Sequence, residues 1–435
     1  MMDGWKEVKL GNTLNLLNGY AFKSKFFTDN EDDIVLIKGS NLGKGVVLWN
    51  SSKYWNKADE LKFSKYLLQT GDVLLAMDRP WVSGGLKYAS IKKNDPKSFL
   101  VQRIACLRTN DKMCQKFLKY VVANIDFAAY IKSLQGGVGV PHISPSQIKN
   151  YKLNLPPLKN QHKIASILSR YDDLIENNLK RIKLLEEQAQ QTYEEWFVRF
   201  KFPGYENVVF DKESGLPVGW EKVKLKEIAD FQNGYAFYTK GYSETGYKII
   251  DLGNVSEYGD LNISGKEKLI SNELYNSLPK FHLKKYDIVI AMTDVTSALR
   301  ILAKSAIIDK DNTYALNQRV GMLRPNTELF DFAFLYALLS DPRFIGRMKA
   351  MSKGAVQFYF NTKDIVNYET FLPAKKVIDD FTKIYKPILE LRMKLKAQNQ
   401  HLKEARDILL PRLMSGIIDV EQLNIKENLK KVDVY

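Results

Sequence analysis

Residues 158–200 read LKNQHKIASILSRYDDLIENNLKRIKLLEEQAQQTYEEWFVRF, and this stretch decides the fold. It holds no Gly and no Pro, as a long uninterrupted helix requires. Ile164, Leu168, Tyr171, Ile175, Ile182, Leu185, Ala189 and Trp196 recur in steps of three and four. A spacing near 3.5 residues keeps one seam facing a partner helix, a coiled-coil signature. Asn178 and Thr192 fall on the same seam, where a polar residue costs stability and fixes register. A helix of this length runs about 60 Å, far beyond an ordinary globular helix.

The two sides of this helix repeat one another. Gly4-Trp5 returns as Gly219-Trp220, and Asn18-Gly19-Tyr20-Ala21-Phe22 returns letter for letter as Asn233-Gly234-Tyr235-Ala236-Phe237. Asp72-Val73 is echoed by Asp287-Ile288, Gln102-Arg103 by Gln318-Arg319, and Leu155-Pro156 by Leu372-Pro373. The chain is a tandem duplication, each half a globular segment followed by a long helix. The second helix carries a seam of Phe381, Ile384, Ile388, Leu391, Leu395, Leu402, Ala405 and Leu409, with Gln398 as its polar interruption. Pro387 predicts a kink or a late start, and Pro411 with Ser415-Gly416 predicts a stop. The architecture expected is α+β: two duplicated mixed α/β domains separated by two long helices that pair as an antiparallel coiled coil, a dumbbell with pseudo-two-fold symmetry.

Within each half, short apolar runs alternate with turn residues. Residues 33–37, 71–77 and 101–107 read as strands, and 116–134 as one helix. The second half repeats the plan with strands at 248–252, 287–292 and 301–308 and a helix at 332–339. Residues 201–219 carry Pro203, Gly204, Gly215 and Pro217, a linker composition. The boundaries expected are 1–157 and 219–373 for the globular halves, 158–200 and 374–416 for the helices, 201–218 for the linker, and 417–435 for a charged tail, fraying from Val420.

The 435 residues carry 65 Lys+Arg against 50 Asp+Glu, a net charge of +15. That excess favours a polyanionic partner, because basic side chains displace counterions condensed on nucleic acid. No apolar run is long enough for a membrane span, and the N-terminus lacks a signal-peptide core. Cys106 and Cys114 suit a reducing cytoplasm. The four histidines show no metal spacing, no G-x-S-x-G elbow occurs, and the Gly-rich stretch 136–142 lacks the Lys-Ser/Thr of a phosphate loop. A chain without its own catalytic centre or cofactor is expected.

Basic and aromatic residues interleave on the loops instead. Tyr20/Phe22 and Tyr235/Phe237 are expected in the core. Lys23, Lys25, Lys38, Arg79, Lys240 and Arg300 are expected on an exposed basic face. With the loops after the repeated strands and the Gly-rich stretch, the candidate DNA contacts also include Asn41, Trp81, Gln135, His142, Thr293, Thr296, Lys353, Gln357 and Tyr359. A shared framework with divergent loops suits two readers of two different sequences. A stand-alone nucleic-acid adaptor, a degenerate enzyme and a basic scaffold are the rival readings.

Three motifs resemble the specificity subunit of Type I restriction-modification enzymes. Leu155-Pro156-Pro157-Leu158 with Gln161 and Ile164 is similar to the family's P-P-L-x-x-Q-x-x-I at the head of its central helix. Trp196-Phe197-Val198-Arg199-Phe200, leading to Phe202-Pro203-Gly204 and Gly215-Leu216-Pro217-Val218-Gly219-Trp220, resembles the exit into a second recognition domain. Residues 405–416, ARDILLPRLMSG, resemble the family's terminal L-R-D-x-L-L-P-K-L-M-S-G. The second helix departs from the pattern at its start, where Phe371-Leu372-Pro373-Ala374 and Asp380 stand in place of the Pro-Pro and Gln. The resemblance implies two target recognition domains reading a split DNA site, with the helix pair as a spacer ruler. It also implies docking of two modification (methyltransferase) subunits, joined by restriction subunits. S-adenosylmethionine, ATP and Mg would then belong to those partners.

Overall fold

The computed structural model describes residues 4–82, 85–134, 141–263 and 267–423. The described residues up to 177, with those from 399 onward, form one compact unit; residues 178–398 form the other. Each unit thus takes one globular half and a portion of both long helices.

The duplication is visible in the sheets. The first unit holds a four-stranded antiparallel sheet in the order Leu14–Asn18, Ile104–Thr109, Val73–Ala76, Tyr88–Ser90. The second holds Ala229–Asn233, Val320–Pro325, Ile288–Ala291, Ser305–Ile307 in the same order. A second sheet in each unit contains one parallel pair: Ile34–Ile37 with Ser98–Leu100, and Tyr247–Ile250 with Tyr314–Leu316. Ile34–Ile37 is buried throughout, as a continuous apolar run with covered faces should be. A two-stranded ribbon returns the end of each half to its beginning, Lys6–Lys9 with Lys152–Leu155 and Glu221–Lys224 with Glu369–Leu372.

The single helix expected at 116–134 is two, Gln115–Ala123 and Ile125–Ser133, broken by extended backbone at Asn124. The buried Asn124 amide donates to the Asp126 carboxylate at 3.1 Å, a local bond that competes with helix continuation. The second unit makes the same break between Phe332–Ser340 and Pro342–Ala350. There Asp341 is held extended by the following Pro342, and it caps the new helix through the Arg343 N–H at 2.7 Å.

The central helix runs Leu158–Tyr193 and ends in one wider turn, Glu194–Val198. Its expected seam is the buried face: Ile164, Leu168, Ile175, Asn178, Ile182, Ala189 and Trp196 are buried, and Tyr171 and Leu185 half-buried. The C-terminal helix is unbroken over Lys375–Met414, so Pro387 neither starts it nor interrupts it and Pro411 does not end it. Pro387 is exposed, and Pro411 falls in the last turn beside exposed Asp407, so each lies where a released carbonyl can be hydrated. Within the first unit, Arg406 pairs with Asp172 at 2.8 Å and the Asn399 amide reaches the Ile175 carbonyl at 3.5 Å. Within the second, Asn178 donates to Gln398 at 3.2 Å, Lys396 pairs with Glu186 at 3.1 Å, and Tyr193 packs on Phe381. In both units the partner number falls as the central-helix number rises, which is antiparallel pairing.

The second seam is corrected by about one residue. Ile384 and Leu391 are 44% and 37% exposed, while Tyr385 and Arg392 beside them are buried. Ile388 and Leu395 are buried as expected, Leu402 and Leu409 half-buried. The buried polar residue is Asn399, next to exposed Gln398. Burying Arg392 is stabilised by its guanidinium bonds to Asp260, the Tyr336 hydroxyl (3.0 Å) and the Gly259 carbonyl (3.2 Å).

The helix heads differ in the same way as their sequences. Buried Gln161 donates to the Pro156 and Lys112 carbonyls and accepts from the Cys114 N–H at 2.8 Å. At the corresponding point of the second half stands the buried, apolar Ile378, not Asp380, whose carboxylate pairs outward with Lys376 and Lys383. The tail expected to fray from Val420 is docked over its described part. Val420 is buried, its carbonyl accepts from Lys163, and Glu421 accepts from Asn160. Among the described residues, no helix is long and apolar enough to cross a membrane.

Candidate nucleic-acid interface

The repeated strand of each half ends at a junction of two loops. In the first half Val73–Ala76 runs on to Met77, whose carbonyl accepts from the Ile143 N–H at 2.7 Å. Asp78 and His142 then form an antiparallel bridge, and the Arg79 N–H donates to the Pro141 carbonyl at 2.9 Å. The Asp78 carboxylate holds His142 Nδ1 on one oxygen and faces Arg103 Nε at 3.4 Å on the other. Arg79 is exposed and bent into left-handed backbone (φ 44°). Trp81 opens a small hairpin, pairing with Leu86, and its ring is half-buried against the domain core. Arg79, Trp81 and His142 are therefore brought together. Gln135 lies outside the described residues.

The second half builds the same junction with different chemistry. Ile288–Ala291 runs on to Thr293–Asp294, which pairs antiparallel with Phe358–Tyr359, and Lys353 pairs with Tyr359 on the far side. Asp294, one residue past Thr293 (which takes the place of Asp78 in the bridge register), is buried beneath the loop that follows. Its carboxylate accepts from the Thr296 N–H and hydroxyl, both at 2.8 Å, the Ile301 N–H at 2.8 Å and the Leu302 N–H at 3.3 Å. Burial pushes this carboxyl up, but the four donors outweigh it and hold it below the ordinary aspartate value. The loop so gathered exposes Val295, Thr296 and Arg300, and across the junction Lys353 and Tyr359 are exposed and Gln357 half-buried. Thr293 is corrected: its side chain is buried in the strand, and it supports the junction where a surface contact was expected.

The remaining candidates lie elsewhere in their halves. Lys23 precedes the short turn Ser24–Phe26 and Lys25 lies within it, its ammonium 4.9 Å from the Phe26 ring. Half-buried Lys38 lies 5.8 Å from the Phe27 ring, and Lys240 is exposed on the turn Thr239–Gly241. Asn41 is corrected: it is 1% exposed, its amide donating to the Leu48 carbonyl and its oxygen accepting from the Lys38 N–H. It shapes a turn and is closed to a ligand. Phe22 and Phe237 are core residues as expected, whereas Tyr20 and Tyr235 are 38% and 36% exposed and show a face at the rim.

At the other end of each repeated strand, a buried aspartate just before its first residue ties two strands of the sheet. Arg108 grips Asp72 through two nitrogens at 2.6 and 2.7 Å, and Arg324 grips Asp287 at 2.7 and 2.6 Å. Sequence reasoning saw the repeated Asp72 and Asp287 but not these ties, because the arginine partners lie far along the chain. It also left Gln102-Arg103 and Gln318-Arg319 as marks of the repeat only. All four are exposed, and both arginines adopt left-handed backbone (φ 72°), which costs a non-glycine residue on the order of 1 kcal/mol.

The geometry joins a set of independent likenesses. The sequence model for the type I restriction modification DNA specificity domain matches residues 2–187 and again 217–398. The chain is 31% identical over 302 residues to the Type I restriction enzyme MjaVIII specificity subunit of Methanocaldococcus jannaschii, covering 68% of this chain and 69% of that one. To the MjaIX specificity subunit of the same organism it is 27% identical over 369 residues, covering 81% and 79%. The crystal structure of the Type-I restriction-modification system S subunit from M. genitalium shares the fold, with a TM-score of 0.59 at 17% identity over 94% of this chain and 96% of that one. The matched region is duplicated as the sheets are, and it spans both loop junctions, so the chain belongs to the Type I restriction-modification DNA specificity family and is a specificity subunit.

Proposed function

We propose that each globular half reads one part of a bipartite, asymmetric DNA site through its loop junction, while the paired helices set the unread spacer. One observation carries this reading. The two junctions share strand order, bridge position and the aspartate tie at the other end of the repeated strand, yet present Asp78-Arg79, Trp81 and His142 in one half and Thr296, Arg300, Lys353, Gln357 and Tyr359 in the other. Framework in common with different polar edges is what two readers of two base sequences need. The reading includes two modification subunits docked along the helices, and restriction subunits joined to them. Catalysis then sits on those partners, with S-adenosylmethionine, ATP and Mg bound there, and the complex works on cytoplasmic DNA.

The test exchanges the junctions. Replacing residues 78–82 and 141–142 by those of a relative of different specificity, in the complex with its modification subunits, changes the methylated sequence in one half of the site and leaves the other half. A change in both halves, or in neither, contradicts the reading.

A further inference from the structure

Two turns, one in each half, are built alike down to the backbone angle. Ser98–Leu100 leads into Val101-Gln102-Arg103, and Tyr314–Leu316 into Asn317-Gln318-Arg319. The Gln102 N–H donates to the Tyr20 carbonyl and the Gln318 N–H to the Tyr235 carbonyl, both at 2.8 Å. The Arg103 carbonyl accepts from the Met77 N–H at 2.8 Å, and the Arg319 carbonyl from the Met292 N–H at 2.9 Å. Each turn is therefore pinned between the half-exposed tyrosine and the start of the loop junction. Gly19 and Gly234 press so closely that a Cβ would stand 2.0 and 1.9 Å from the carbonyl oxygens of Val101 and Asn317.

Left-handed backbone is natural ground for glycine, and an arginine there needs a reason. At two other bulky residues in this region of backbone, the reason is visible. Where the first half has Gly71 (φ 92°) the second has Tyr286 (φ 72°), whose ring stacks on Phe332 at 4.0 Å and whose hydroxyl donates to Glu390. Phe200 (φ 57°) packs its ring on Trp220 at 5.5 Å. The two turn arginines have no such use inside the fold. Arg103 is 60% exposed with only the 3.4 Å approach to Asp78, and Arg319 has no ion-pair partner among the described residues. What these side chains do, they do outward.

We infer that Gln102-Arg103 and Gln318-Arg319 are the phosphate clamps of the two halves, donating to backbone oxygens of the duplex and reading no base. This rests on the proposed reading that both halves bind DNA. The two halves differ at the junctions, where base edges are read, and coincide at these turns. A contact identical in two readers of different sequences must go to what every duplex offers, and that is phosphate. The guanidinium fork matches phosphate oxygens, and the amide adds a neutral donor beside it.

The experiment uses Arg103→Gly, Arg319→Gly and the double variant, each in complex with the modification subunits. Binding to a random-sequence duplex and to the methylated target duplex is followed across salt concentration. Glycine suits φ 72°, so the melting temperature stays or rises. The salt slope becomes shallower by about 0.9 for each arginine removed. Affinity falls by the same factor on both duplexes, so the specificity ratio is kept. Should glycine lower the melting temperature, Arg103→Gln and Arg319→Gln remove the charge at similar length and the slope decides. A wild-type slope in folded variants overturns the inference, because the turns are then structural only. A lost specificity ratio with an unchanged slope overturns it too, because the arginines then read bases. A wild-type complex that binds no DNA overturns the underlying reading along with it.

Discussion

Asp78 and Asp294 lie one register position apart in the two copies, and each carboxylate organises its junction in a different way. Asp78 is shared between His142 and Arg103 at the surface, while Asp294 gathers four donors and fixes the loop over 294–302. Asp294→Asn removes the charge from those bonds and should cost about 2 kcal/mol. The loss confines itself to the loop, so methylation weakens at sites whose second half-sequence is read there, with the first half unaffected. An unchanged methylation rate on such sites would show that the loop needs no anchor. The depressed carboxyl also sets a direction in pH. Its stabilisation is complete above the ordinary aspartate range and is lost as pH falls through the lowered folded-state value. None of this was legible in sequence, where Asp294 was one letter in a divergent loop. Asn41 and Thr293 failed as surface contacts for a related reason: short polar side chains serve backbone turns and strands as readily as ligands.

At the scale of elements, periodicity located both long helices and one seam almost residue for residue, because a 36-residue helix offers many turns of the same signal. The second seam slipped by one position at Ile384 and Leu391. Apolar spacing alone could not show that Tyr385 and Arg392 face inward, since burial of Arg392 depends on Asp260 and Tyr336, far away in sequence. Arg392→Met tests that account. It fills the same space but strands Asp260 and Glu186 with only Lys396 between them. A loss of about 3 kcal/mol is expected in denaturant unfolding, and a stability equal to wild type would show that the network contributes nothing. The helix break at Asn124 was missed because the apolar pattern runs through it; in the second copy the expected helix stopped at 339, before Asp341, and the helix Pro342–Ala350 beyond it went unread.

Over the whole molecule, the tandem repeat decided the architecture, and the three motifs at the helix ends carried the resemblance that pointed to the functional class. Internal loops stayed opaque because their geometry is set by partners distant in the chain, as at Asp78 with His142. If the helix pair sets the spacer, length should translate into DNA. One heptad inserted near Lys183 and one in the facing turn of the C-terminal helix adds about 10 Å, on the order of three base pairs. The unread spacer should lengthen by that amount while both half-sequences persist; an unchanged spacer would remove the ruler. The central claim, two readers on one chain, meets its most direct test in a single measurement. The chain is assembled with its modification subunits, random duplex DNA is methylated, and the modified positions are mapped. The account predicts a split site, two short unrelated sequences separated by a fixed unread gap. A single contiguous site, or methylation without sequence preference, would contradict it.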